Sequence, residues 1–275
     1  HNDRPWPIIV IPALFGLALF CVPLPQDHIL SIHESVLPQT AKMMAYNSDW
    51  LIPRRDSMTP WLENPPLPQW ITVSLCNLVG TCHEAWVARL AAATAGALVV
   101  LLVTLMGTRL FGRALGILSG LIMATSFEVV RYATLAEDEI FLALTSTTAM
   151  TCFVFAQFGS SRDPVGPATP IPADCGRFWG ARPWIVVGVF AAAGLTNLTK
   201  GIGFGPLMVF IPVTAFILLT GKLSLLRRYL WAWGVMLFLL IGLWWPLVIT
   251  LEVPGAIELW LYDLLGRTSG DYSLM

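Results

Sequence analysis

Four short stretches of this chain gather residues that can move protons or hold a phosphate. RYATLAEDEIF, Arg131 to Phe141, sets three consecutive carboxylates, Glu137, Asp138 and Glu139, behind an arginine. Crowded in one turn between apolar segments, such carboxylates repel one another and lose hydration, so they need cations or a metal ion to stay ionised. The plainer account is a solvated helix start, with the acids at the positive end of the helix dipole. NLTKG, Asn197 to Gly201, offers Lys200 either as a snorkelling anchor or as a cation for a phosphate. In WLENPPLPQW, residues 61 to 70, prolines fix the backbone and hold Glu63 and Asn64 on a stiff connector. His33 and Glu34 open a fourth stretch, HESVLPQTAKMMAYNSDWLIP.

The elements that must position these groups are mostly apolar. Of 275 residues, 56% are hydrophobic and 12% charged, about half the charged share of a soluble domain. The mean hydropathy is +0.70. The chain therefore reads as an integral membrane protein. Sixteen scattered Lys and Arg and a net charge of -1 do not make the clustered basic surface that nucleic acid needs, so no nucleic-acid partner is expected.

Seven runs approach the ~20 apolar residues that cross a bilayer. They lie at about Trp6–Leu24, Ala85–Met106, Leu115–Val130, Ile140–Phe158, Trp184–Leu198, Phe204–Thr220 and Leu230–Thr250. The expected fold class is all-α and membrane-embedded, with about seven transmembrane helices. Residues 26–84 form an external loop, 159–183 a cytoplasmic loop, and 251–275 the start of a further external loop. In the external loop Val36, Leu37, Ala41, Met44 and Ala45 recur at helical intervals, which predicts an amphipathic helix along the membrane surface. A second surface helix is expected over Leu67–Leu78, with Trp61 and Trp70 in the interfacial belt.

Charge sets the orientation. With the N-terminus cytoplasmic, that side collects Arg4, Arg109, Arg113, Arg162, Arg177, Arg182, Lys222, Arg227 and Arg228, and nearly all the acids fall outside. All four stretches of interest then face outward.

In this order, a DW-x-x-P ending to the first surface helix, W-L-E-x-P-P-L, an aspartate before the fourth span and L-T-K-G after the fifth, the chain resembles the GT-C fold glycosyltransferases. It is most similar to the bacterial lipid A aminoarabinose transferases and their protein O-mannosyltransferase relatives. The resemblance implies a bacterial inner membrane enzyme that moves a sugar from a polyprenyl-phosphate donor to a lipid, glycan or protein acceptor at the periplasmic face. It implies catalytic roles for Glu34, Asp138 and His33, and donor phosphate binding by Lys200, Arg131 and Arg55. It further implies contacts from Glu63 and Glu139 to the donor or to a divalent metal ion.

This sequence has His33-Glu34 where such enzymes usually have Asp-Glu, Asn64 where they have lysine, and Asp263-Leu264 where a histidine often lies. Those departures support an alternative, a non-catalytic GT-C-like subunit that binds lipid or scaffolds membrane protein partners. Cys76 and Cys82 bracket an external turn and are either bridged or simply small apolar residues. A start on His1 and a stop at Met275, in an expected loop, suggest a processed or partial chain, with the first apolar segment a retained helix rather than a signal peptide.

Overall fold

A computed structural model describes residues 6–25, 33–158, 183–201, 203–221 and 229–261. The expected cytoplasmic loop with Arg162, Arg177 and Arg182, the basic Lys222, Arg227 and Arg228, Arg4, and Asp263-Leu264 lie outside the described residues. Ten α-helices and one 3-10 turn carry the described part: α1 (Trp6–Cys21), the turn His33–Ser35, α2 (Val36–Asn47), α3 (Leu67–Val79) and α4 (Ala85–Phe111) come first. They are followed by α5 (Arg113–Thr125), α6 (Phe127–Thr134), α7 (Glu139–Gln157), α8 (Pro183–Asn197), α9 (Phe204–Leu219) and α10 (Ala232–Glu252).

The chain is a helical membrane protein, but its spans are less uniform than composition suggests. Helices α4, α7 and α10, of 27, 19 and 21 residues, are long and apolar enough to cross a bilayer. The expected third span is instead two helices, α5 and α6, bent by 60° at Ser126. Ser126 sits in extended backbone and Glu128 in the first turn of α6 suits a new helix start, so the chain restarts where one span was expected. Helices α1, α8 and α9 have 16, 15 and 16 residues, or about 22–24 Å against a hydrocarbon core of about 30 Å.

α4 is the hub. Its face of Ala88, Ala91, Ala92, Ala95 and Val100 is almost fully buried and lets α1, α6 and α7 approach closely. With lipid as apolar as leucine, close packing of small residues replaces hydrophobic drive between helices. A Cβ on Gly96 would run into Ala133 and Phe20, and one on Gly116 would sit 2.7 Å from the Thr108 Cα, so α4 and α5 touch backbone to backbone. On the other side α8 bridges α7 and α10, where the Asn197 amide donates to the Gly242 carbonyl at 2.7 Å.

Both expected surface helices form, the first with the apolar face its periodicity predicts. α2 buries Leu37, Thr40, Ala41 and Met44, and α3 buries Pro68, Gln69, Thr72, Val73 and Cys76. α3 starts on Pro66-Leu67-Pro68, where missing N–H groups cost nothing, and stops at Gly80, whose φ of 85° is open to glycine. Cys76 and Cys82 are joined by a disulfide across that stop, with Cα atoms 4.9 Å apart.

The loop between α2 and α3 is tied to distant elements. Asp49 accepts from the Leu51 and Ile52 amides, and Trp61 N donates to Pro53 O at 2.7 Å. Three indoles close it from outside: Trp70 on Trp50 O, Trp245 on Leu51 O and Trp260 on Leu62 O, at 2.6, 2.8 and 2.8 Å. Trp70 also stacks on Trp244 at 5.7 Å, so it packs within the protein rather than serving as a free interfacial anchor.

Candidate functional site

The connector, the start of α7 and the turn after α8 meet. Asn64 Nδ2 donates to Asp138 Oδ2 at 3.0 Å, across 74 residues of sequence. Asp138 stands at the N-cap position of α7, without a side-chain capping bond, and Glu139 is the first residue of the helix. Lys200 Nζ forms an ion pair with Glu139 Oε1. The Lys200 turn is fixed by Asn197, whose side chain also accepts from Gly203 N at 2.8 Å, and by Thr199 Oγ1 donating to Thr196 O. Gly201, at φ 79°, lets the chain reverse there. Leu67 N donates to Leu198 O at 3.1 Å and locks connector and turn together.

Asp138 is the most perturbed acid of this group. Burial pushes its pKa up to about 7, Glu139 and Glu63 push the same way, and Lys200 and the Asn64 hydrogen bond oppose them. Its Oδ1 is cut off from solvent with no hydrogen-bond partner, although other atoms of the residue keep it only half-buried. A carboxyl with a pKa near 7 is suited to accept or give a proton at neutral pH.

Beside this cluster lies a cavity of about 600 Å³. Lys200 and Glu63 form its polar edge, and Phe204, Trp245, Leu247 and Trp260 belong to its apolar wall. One charged edge against a long greasy wall suits an amphiphile with a phosphate head.

The other residues singled out from the sequence fall elsewhere. Glu34 is buried against Arg89 of α4, with Arg89 Nε donating to Glu34 Oε1 at 2.6 Å and both side chains nearly inaccessible. His33 beside it is exposed. Leu37, Ala88, Ala136 and Ile140 share one apolar cluster, which ties the His33-Glu34 turn to the Asp138 turn through packing. Arg131 is exposed on α6, with its guanidinium 5.1 Å from the Tyr132 ring. Arg55 lies over Trp61 at 4.7 Å and lines a second cavity with Ser35 and Gln39.

The expected divalent metal does not fit this arrangement. Among the described residues no three His, Cys, Asp or Glu side chains are grouped to hold an ion. The physical reason is that Glu139 already has its cation in the Lys200 ammonium, while Asp138 accepts a hydrogen bond from the neutral Asn64 amide.

Sequence reasoning passed over Arg89. Its one signal is a cation within the first turns of α4, followed by a long apolar run, a position that demands a buried partner. Nor did the sequence point to Trp245 and Trp260, which read as ordinary apolar residues.

The helical bundle has the GT-C fold, as the likeness to a solved membrane protein shows. Residues 63–164, from the connector glutamate to beyond α7, match the family model of dolichyl-phosphate-mannose-protein mannosyltransferase. The structure is similar to that of ArnT from Cupriavidus metallidurans bound to undecaprenyl phosphate, with a TM-score of 0.73 and 23% identity over 92% of this chain and 43% of that one. For the same protein in the apo state the TM-score is 0.74, again at 23% identity, over 93% and 44% of the two chains. The chain thus spans less than half the length of the solved protein it matches. No curated protein matches it. Both likenesses bear out the resemblance drawn from the motifs.

Proposed function

We propose that this chain carries the donor side of a membrane glycosyltransferase. It moves a sugar from a polyprenyl phosphate to a lipid, glycan or protein acceptor at the periplasmic face of a bacterial inner membrane, with its N-terminus cytoplasmic. The observation that carries this reading is the cavity in which Lys200 and Glu63 edge an apolar wall. The likeness to a protein solved with undecaprenyl phosphate supports the same ligand class.

In this reading the polyprenyl tail lies along Phe204, Trp245, Leu247 and Trp260. An ammonium has three donors, so Lys200 keeps hydrogen bonds for the phosphate while it holds Glu139. Its charge stabilises the phosphate as the glycosidic oxygen leaves the anomeric carbon. Asp138 takes the proton of the attacking acceptor hydroxyl, a role that its pKa of about 7 suits. Glu63, on the cavity edge, accepts hydrogen bonds from the donor sugar. Glu34 is committed to Arg89 and sets the position of the His33 turn.

The test is binding of undecaprenyl phosphate to the purified protein, followed by native mass spectrometry, with Lys200→Ala in parallel. Loss of one charge-assisted contact should weaken binding about tenfold or more. Equal binding by both proteins would remove Lys200 from the site. Binding without transfer from any polyprenyl-phosphate sugar would instead favour the non-catalytic subunit.

A further inference from the structure

Lys200 stands in a turn whose backbone is loose by composition. Gly201 and Gly203, just after it, have φ of 79° and 92°, and glycine has more backbone freedom to lose than any other residue. One side chain closes that turn. Asn197, the last residue of α8, accepts from Gly203 N on its Oδ1 at 2.8 Å, so a bond across six residues encloses Lys200.

The other end of the same amide reaches a different helix. α10 carries Pro246 in its interior. A proline has no N–H to give to the carbonyl four residues back, so the Gly242 oxygen loses its helical partner. Asn197 Nδ2 donates to that oxygen at 2.7 Å. The approach needs glycine on both helices: a Cβ on Gly242 would stand 3.2 Å from the Asn197 Cβ, and one on Gly194 would stand 2.8 Å from the Ile241 Cβ. Asn197 is 2% exposed, so water does not compete for either bond.

The two bonds have an order of cause. The Gly242 oxygen can only accept, which turns Nδ2 towards α10 and leaves Oδ1 for Gly203 N. Leucine could make neither bond, and an ionised aspartate only the second. The same stretch of α10 supplies Trp245, Pro246 and Leu247 to the cavity whose polar edge is Lys200.

We infer that Asn197 is a positioning residue of the donor site: through it the Pro246 break in α10 sets where the Lys200 ammonium stands. The wall that takes the tail and the cation that takes the phosphate are thereby held as one unit. The ligand class rests on the glycosyltransferase reading above.

The experiment compares undecaprenyl phosphate with undecaprenol, the same tail without phosphate, by native mass spectrometry of the intact purified protein. Wild type should prefer the phosphate ligand. In Asn197→Ala that preference should fall about fivefold, the factor that one neutral hydrogen bond is worth, with undecaprenol affinity unchanged. In a Lys200→Ala background Asn197→Ala should cost no further preference, because it acts through the ammonium. Asn197→Ala also strands the Gly242 oxygen and should lower the melting temperature. Adding Pro246→Ala returns a backbone N–H to that oxygen, so against Pro246→Ala alone the double variant should be nearly as stable and still lack the preference. A preference regained with the stability, a loss shared by both ligands, or equal preference in wild type and Asn197→Ala overturns the inference and leaves the donor site standing. Wild type without any preference overturns both. An Asn197-dependent preference with no transfer from any polyprenyl-phosphate sugar supports the inference and overturns the glycosyltransferase reading alone.

Discussion

Asp138 holds its proton in the folded protein to a pH at which an exposed aspartate would have lost it, and that has two measurable effects. An unfolded aspartate titrates near 4, and in the fold the value is about 7. Between those values the native state binds the extra proton, so folding stability falls as pH rises through the window and the penalty is complete above it. Asp138→Asn abolishes the titration, so its melting temperature relative to wild type should rise between pH 4.5 and 8, and a flat difference would contradict the buried carboxyl. If Asp138 takes the acceptor proton, the rate should also climb with an apparent pKa near 7, and Asp138→Asn should cost about 10² or more at pH 8. At this scale the sequence was partly legible. It named Asp138, Glu139, Lys200 and Glu63 from three separate stretches, but contained nothing local to show that Lys200 would meet Glu139 or that Asn64 would meet Asp138, contacts that span 61 and 74 residues. It left open whether cations or a metal ion would hold the three adjacent acids, which show their need for positive charge without showing its source.

The helices were legible where a single face is apolar and less so where they break. α2 follows from 3.6-residue spacing, α3 from the proline connector ahead of it, and α4, α7 and α10 from sheer length. The bend between α5 and α6 was missed because Val129 and Val130 resume the apolar run after Thr125-Ser126-Phe127-Glu128, so a helix start inside it read as one continuing span. Arg89 was missed because one cation hardly changes the mean of a 27-residue run. Its pairing with Glu34 pins the His33–Ser35 turn to α4, and breaking a buried pair leaves an uncompensated charge that costs about 3–5 kcal/mol. Arg89→Met should therefore lower thermal stability sharply, and adding Glu34→Met should restore much of it; a double variant no better than the single one would mean the pair is not the source of the loss. Where α4 meets α5, Gly116→Ala drives a methyl group against the Thr108 backbone. The expected cost is about 1–3 kcal/mol, the usual range for overpacking, read as a lower melting temperature in detergent.

For the whole molecule, two expectations concern which side of the membrane the site occupies. Ser57 is exposed in the loop between α2 and α3, so in the proposed orientation a cysteine placed there should react with an impermeant thiol reagent in intact cells. Cys175, in the expected cytoplasmic loop, should not, and the opposite pattern would invert the orientation. The Cys76–Cys82 disulfide fits the same external side, where oxidation is permitted. Alkylation without reductant should leave both thiols unmodified, and two modified cysteines would show that they are reduced. The indole bonds of Trp245 and Trp260 to Leu51 and Leu62 add a constraint in time, since their partners lie 194 and 198 residues apart in sequence. At about 5–20 residues per second of synthesis, the loop that carries Glu63 and Asn64 waits about 10–40 s for those tryptophans to be made. During that interval the helices made first can insert and pack around α4 while the loop between α2 and α3 lacks two of its three indole clamps, so in the proposed orientation a chaperone or protease of the periplasm would find this loop before Trp260 seals it.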